Sequence, residues 1–140
     1  MIPNTDQALR NIAHRLMVSL VPELRSEYAM ADGMSLGMLI NVIADELAEG
    51  IQRRLEDITE MQEVLGSCEL SEKERGVAEA GIDNYSLKAV NARHDELTSI
   101  LIDWHEKSEA DDSLGALNHA IWQYLRRHAN RHVITAIPEA

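Results

Sequence analysis

Phenylalanine is absent, cysteine occurs once, and aromatic residues make up only 4% of the 140 positions. The lone Cys68 excludes an internal disulfide. The opening MIPNTDQALR has neither the basic start and apolar run nor the small-residue cleavage site of a secretory leader, so a cytoplasmic setting is expected. Basic residues are also scarce. Lys and Arg total 13 against 24 Asp and Glu, a formal charge of -11 that would repel a phosphate backbone, and no nucleic-acid partner is expected. The most apolar uncharged stretch, residues 33–44, falls well short of the roughly 20 apolar residues that span a bilayer. No G-x-G-x-x-G, Walker loop or G-x-S-x-G occurs, so the sequence carries no nucleotide-binding or serine-hydrolase signature.

What remains is 45% hydrophobic and 26% charged, the balance of a folded chain of one-domain length. With aromatics so few, the core falls to Leu, Ile, Ala, Val and Met, side chains that favour helices over sheet. The expected fold is all-α, a single-domain bundle of four main helices covering residues 1–140.

The first helix should open at Asn4 or Thr5, with Gln7 completing a capping-box spacing, and carry the stripe Leu9, Ile12, Leu16, Leu20, Leu24, Tyr28. Pro22 lies inside that stripe. It removes a backbone donor and crowds the preceding turn, so the first helix is expected to be kinked. Asp32-Gly33 should separate it from a long second helix bearing Leu36, Ile40, Ile43, Leu47, Ile51, Leu55, Ile58 and Leu65. Gly66 stands where a left-handed cap is expected, and Ser71 to Glu74 reads as a capping box for a short connector helix.

The third long helix, from Asp83 or Asn84, carries Leu87, Val90, His94, Leu97, Leu101 and Trp104 on one face. The fourth, capped by Asp112 or Ser113, carries Leu114, Leu117, Ile121, Leu125, His128 and His132. Three histidines therefore sit on apolar faces. His128 and His132 form an H-x-x-x-H pair, whose imidazoles stand one turn apart and can share a metal ion. Antiparallel packing of the last two helices would bring His94 beside them, and a facing carboxylate such as Glu23 or Glu27 could complete a divalent metal site.

Against this stands the simpler reading, that histidines near a helix C-terminus are favoured by its dipole and that His94 is a hydrogen-bonded core residue. Known metal bundles give little support. No histidine has an acid three residues before it, which excludes the carboxylate-bridged di-iron spacing, and His105 with Glu109 imitates only part of a hemerythrin-like set. Arg126, Arg127 and Arg131 make the last helix locally basic. They could dock an anion or an acidic partner, though pairing with neighbouring Asp and Glu explains them more simply.

The segment 33–44, GMSLGMLINVIA, is the most apolar in the chain, and its Gly33, Ser35 and Gly37 would permit close helix approach. Apolar surface beyond what one bundle buries should form a homodimer interface. Residues 8–47, with an amphipathic helix ending in V-P-E-L and a second ending in A-x-E-L, resemble the N-terminal half of a bacterial helical domain family of unknown function. That family accompanies acyl-CoA dehydrogenase-like and phosphotransferase-like proteins, and the resemblance implies an accessory or partner-binding role. The leading expectation is therefore a non-enzymatic helical accessory or interaction module with no cofactor, contacting itself or another protein. The alternative is a metal- or small-ligand-binding bundle, with an enzymatic role left open, built on His94, His128 and His132.

Overall fold

The pattern of threes and fours is realised as five α-helices, with no strand among residues 4–134, the part of the chain described by the computed structural model. These are α1 (Thr5–Arg15), α2 (Glu27–Leu65), α3 (Glu72–Glu79), α4 (Leu87–Ala110) and α5 (Gly115–Arg131). The fold is all-α, and no helix of the described residues is long and apolar enough to cross a membrane. Where the length suggested one domain, the packing divides into two compact units. Residues up to Gly50 with Ile134 form one, and Ile51–Val133 form the other, so the division falls inside α2.

The first unit departs from expectation at both of its ends. Asn4 caps α1 by backbone position but makes no side-chain cap bond, and Gln7 turns its amide to Asn11 Oδ1 at 3.2 Å, so the expected capping box does not form. Beyond Arg15 the chain widens into a π turn at Leu16–Leu20 and tightens into a 3-10 turn at Val21–Glu23. Pro22 has no N–H to give, and Val21 instead reaches back five residues to the carbonyl of Leu16. Leu24 is then extended, with ψ 142°, so the first helix ends here rather than continuing through a kink.

Ser26 accepts the N–H of Ala29 and starts α2 at once, which leaves Asp32 and Gly33 inside a helix instead of breaking it. Gly33 and Gly37 serve close approach, as the sequence suggested. A Cβ on Gly33 would meet Val21 Cγ2 at 2.7 Å, and one on Gly37 would meet Met17 Cγ at 2.4 Å. Ser35 takes no part and bonds its own helix at the carbonyl of Ala31. The Arg10–Asp45 ion pair at 3.9 Å completes a series (10 with 45, 17 with 37, 21 with 33) that makes the two helical segments antiparallel.

In the second unit α2 ends without a left-handed residue, since no residue of the described chain has positive φ. Gly66, Ser67 and Cys68 close it with N–H bonds to Gln62, Val64 and Leu65. The capping box at α3 forms in full, with Ser71 Oγ accepting from Glu74 N and Glu74 Oε2 accepting from Ser71 N. Ser86, not Asp83 or Asn84, caps α4, and Asp111 caps the 3-10 turn that leads into α5. The core gathers Ile58, Met61, Val64 and Leu65 of α2, Ala78 of α3, Val90, Leu97, Leu101 and Trp104 of α4, and Leu117, Ile121 and Tyr124 of α5. Burying aliphatic surface of this kind stabilises by about 1.5–3 kcal/mol per large side chain. It fixes α2, α4 and α5 against one another, with the buried Asp57 of α2 at the edge of their shared core.

Candidate metal centre

Along α2 the i, i+4, i+7 spacing that buries Met61 and Val64 also buries Asp57, whose side chain has no solvent exposure. A buried carboxylate needs partners, and α4 and α5 bring four. His94 Nε2 lies 3.2 Å from Asp57 Oδ2, His128 Nδ1 2.9 Å from the same oxygen, and His132 Nε2 2.6 Å from it. Arg131 takes the other oxygen, Oδ1, and its remaining nitrogens reach Glu60 and Glu56. Arg127 Nε donates to Glu60 Oε2 at 2.9 Å.

The helical register explains the convergence. His128 and His132 are one turn apart on α5 with ring centroids at 4.5 Å, and His94 stands on α4 with its ring 6.0 Å from that of His128. Thr98, one turn after His94, donates to the carbonyl of His94 at 2.8 Å and lies 3.5 Å from its Nδ1, which leaves Nε2 directed at Asp57. Burial by itself would raise the Asp57 carboxyl. Bonds from His94, His132 and Arg131, with the field of His128, outweigh burial and hold it well below the usual carboxylate range. Tyr124, whose ring is 5.7 Å from that of His128, is pushed well above the ordinary phenol value by burial and by the charge of Asp57.

Three imidazole nitrogens share one oxygen here, whereas a carboxylate offers roughly four lone-pair sites over its two oxygens, about two apiece. Three imidazoles therefore crowd one oxygen, one more than its lone pairs accommodate. A tetrahedral zinc ion with bonds of about 2.0–2.1 Å sets neighbouring ligand atoms about 3.3 Å apart. The donor atoms of Asp57, His128 and His132 lie within 4.8 Å of one another, whereas His94 Nε2, 3.2 Å from Asp57 Oδ2, falls outside that mutual spacing. Imidazole with carboxylate is a donor set for zinc or ferrous iron. Beside the cluster, between α4 and α5, a crevice of about 110 Å³ is walled by Leu101, Ile102, Ile121, Tyr124 and Leu125, with His94 and His128 at its edge.

All three histidines expected from the sequence meet in one place. The expected carboxylates do not, since Glu23 and Glu27 are exposed in the first unit and Asp57 supplies the charge instead. Of the three arginines, Arg127 and Arg131 are engaged by Glu56, Asp57 and Glu60, while Arg126 is exposed. His105 contacts Glu109 at 3.5 Å within α4 and stacks edge-on against Trp122. Asp95 and Glu96, beside His94 in sequence, are exposed. Cys68 is half-buried, and burial raises its thiol, which suits an inert residue.

Sequence reasoning misses Asp57 because it sits beside Ile58, a member of the apolar stripe. Its signal is the register it shares with Met61 and Val64, an acid on the buried side of an amphipathic helix. Comparison with protein-family models, with curated proteins and with solved structures gives no match for the chain. The likeness of residues 8–47 to a helical domain family therefore rests on those residues alone.

Proposed function

We propose that the protein binds a divalent transition-metal ion, zinc or ferrous iron by its donor chemistry, through His128, His132 and Asp57, with His94 adjoining them as a fourth donor once it closes on the ion. The observation that carries this reading is the convergence of three imidazole nitrogens on a single buried carboxylate oxygen. Arg131 then acts as an outer support, holding Oδ1 so that Oδ2 faces the imidazoles. The adjoining crevice, lined in part by His94 and His128, has room for only a few water-sized molecules on one side of the cluster.

Metal content of untagged protein, measured by plasma mass spectrometry, tests the proposal. Near-stoichiometric metal is expected in the native chain and none in a His128→Ala, His132→Ala double variant that keeps its helical circular dichroism. A native chain that stays metal-free after incubation with zinc or, anaerobically, with ferrous iron would sink it. The non-enzymatic interaction module expected from the sequence draws its support from a different part of the chain, the exposed apolar residues before Gly50.

A further inference from the structure

In the first unit the usual relation between size and burial is inverted. The buried positions are Ala13, Val21, Gly33, Gly37, Asn41, Ala44 and Gly50, nearly all small. The large aliphatic residues face water, with Ile12 55% exposed, Leu36 49%, Leu39 58%, Ile43 53% and Leu47 53%. Single exposed leucines are ordinary, but a set that repeats every three or four residues along three turns of α2 is not.

The position of these residues around each helix determines where they lie. At about 100° per residue, the row of Leu36, Leu39, Ile43 and Leu47 points about 110° behind the seam of Gly33, Gly37, Asn41 and Ala44. On α1 the row of Leu9, Ile12 and Leu16 points about 80° behind the seam of Ala13 and Met17. Both rows are turned in the same sense about their own axes. Because the two segments run antiparallel, that shared sense brings both rows to one side. Along these turns the unit is a two-helix plate, joined edge to edge by small residues, with both aliphatic rows on one face.

We infer that a second copy of the chain covers this face, the two plates closing as an intermolecular four-helix bundle about a two-fold axis. A helix pair with a single apolar face is half of such a bundle, and an isologous contact needs one patch that complements itself. Leu36, Leu39, Ile43 and Leu47 present only aliphatic side chains over three turns, with Glu46 flanking the row and its carboxylate lying against Gly50. The area reaches the lower bound for a specific self-association. At roughly 60–120 Å² of apolar surface per aliphatic side chain, the half-exposed five with partly buried Leu9, Leu16 and Ile40 leave on the order of 300 Å² per copy. Two copies with the usual polar share then reach about 1,000 Å², the size at which an association is specific.

Sedimentation equilibrium of the full chain tests this directly. A mass of twice 15.7 kDa is expected for the native protein, and a Leu39→Lys, Ile43→Lys variant should sediment near 15.7 kDa, its self-association weakened at least about a hundredfold. Both residues are more than half exposed, so helical content should persist. A milder Leu39→Ser, Ile43→Ser pair serves if the lysines disturb folding. As a second measurement, Ile43→Cys in a Cys68→Ser background should form a disulfide-linked dimer on mild oxidation. A monomeric native chain would overturn the inference, as would a dimer that either double variant leaves intact.

Discussion

His132 Nε2 stands 2.6 Å from Asp57 Oδ2, across 75 positions of sequence, and the same oxygen is met by His94 and His128. A single buried acid thus ties the C-terminal end of α5 to the last third of α2 and to α4. Its removal should show in stability as well as in metal binding. Asp57→Asn keeps the volume but withdraws the charge that Arg131 and the histidines share, and breaking a buried charged network costs about 3 kcal/mol or more. Urea denaturation with a chelator present measures this. An Asp57→Asn midpoint equal to the native one would show that the cluster contributes nothing without metal.

The same carboxylate sets an acid limit. Its folded value is depressed below the unfolded reference of 3.8, so in the interval between the two the unfolded chain binds the extra proton. The contribution of Asp57 is therefore fully present above the unfolded value and is lost as pH falls below about 4 toward the folded one. Native protein should lose stability more steeply than Asp57→Asn between about pH 4 and pH 2.5, as read from urea midpoints at each pH. Parallel curves would assign the acid sensitivity to other groups.

Arg131 and Arg127 should differ although both are arginines of α5 paired with Glu60. Arg131 is mostly buried and spans Glu56, Asp57 and Glu60, while the Arg127 side chain is 51% exposed. Arg131→Met should weaken metal affinity by about 10–100-fold through loss of the support behind Asp57. Arg127→Ala should leave that affinity unchanged and cost less than about 1 kcal/mol in stability. Competition with a chromophoric chelator gives the first comparison and urea midpoints the second. Equal metal affinities in the two variants would remove Arg131 from the positioning role.

Two glycines should respond in opposite directions to alanine. At Gly37 the new methyl would meet Met17 Cγ at 2.4 Å, and forcing the helices apart should cost about 1–3 kcal/mol. At Gly76, inside α3 with nothing within 4 Å, alanine should instead stabilise by about 0.5–1 kcal/mol. Thermal melts of the single variants decide both. A neutral Gly37→Ala would mean that Met17 swings aside at no cost.

By itself, the sequence determined the helical class, because apolar residues at steps of three and four with almost no aromatics favour nothing else. It determined the capping box of Ser71 and Glu74 and the apolar faces of α4 and α5, all of which depend on neighbours within a few positions. The histidines were legible as candidates for the same reason, since helical spacing places them on those faces. Which acid they would meet was not legible. Asp57 lies 37 positions from His94 and 75 from His132, and only the packing of α2 against α4 and α5 selects it over Glu23 and Glu27.

The role of Gly33 was likewise a matter of tertiary structure. A glycine after an aspartate reads locally as a helix stop, but here Ser26 had already started the helix and the glycine makes room for Val21. Local spacing governs which residues share a face. Long-range packing alone decides what that face touches, since the same stripe of leucines suits an interior or an interface, and the same histidines a hydrogen bond or a metal.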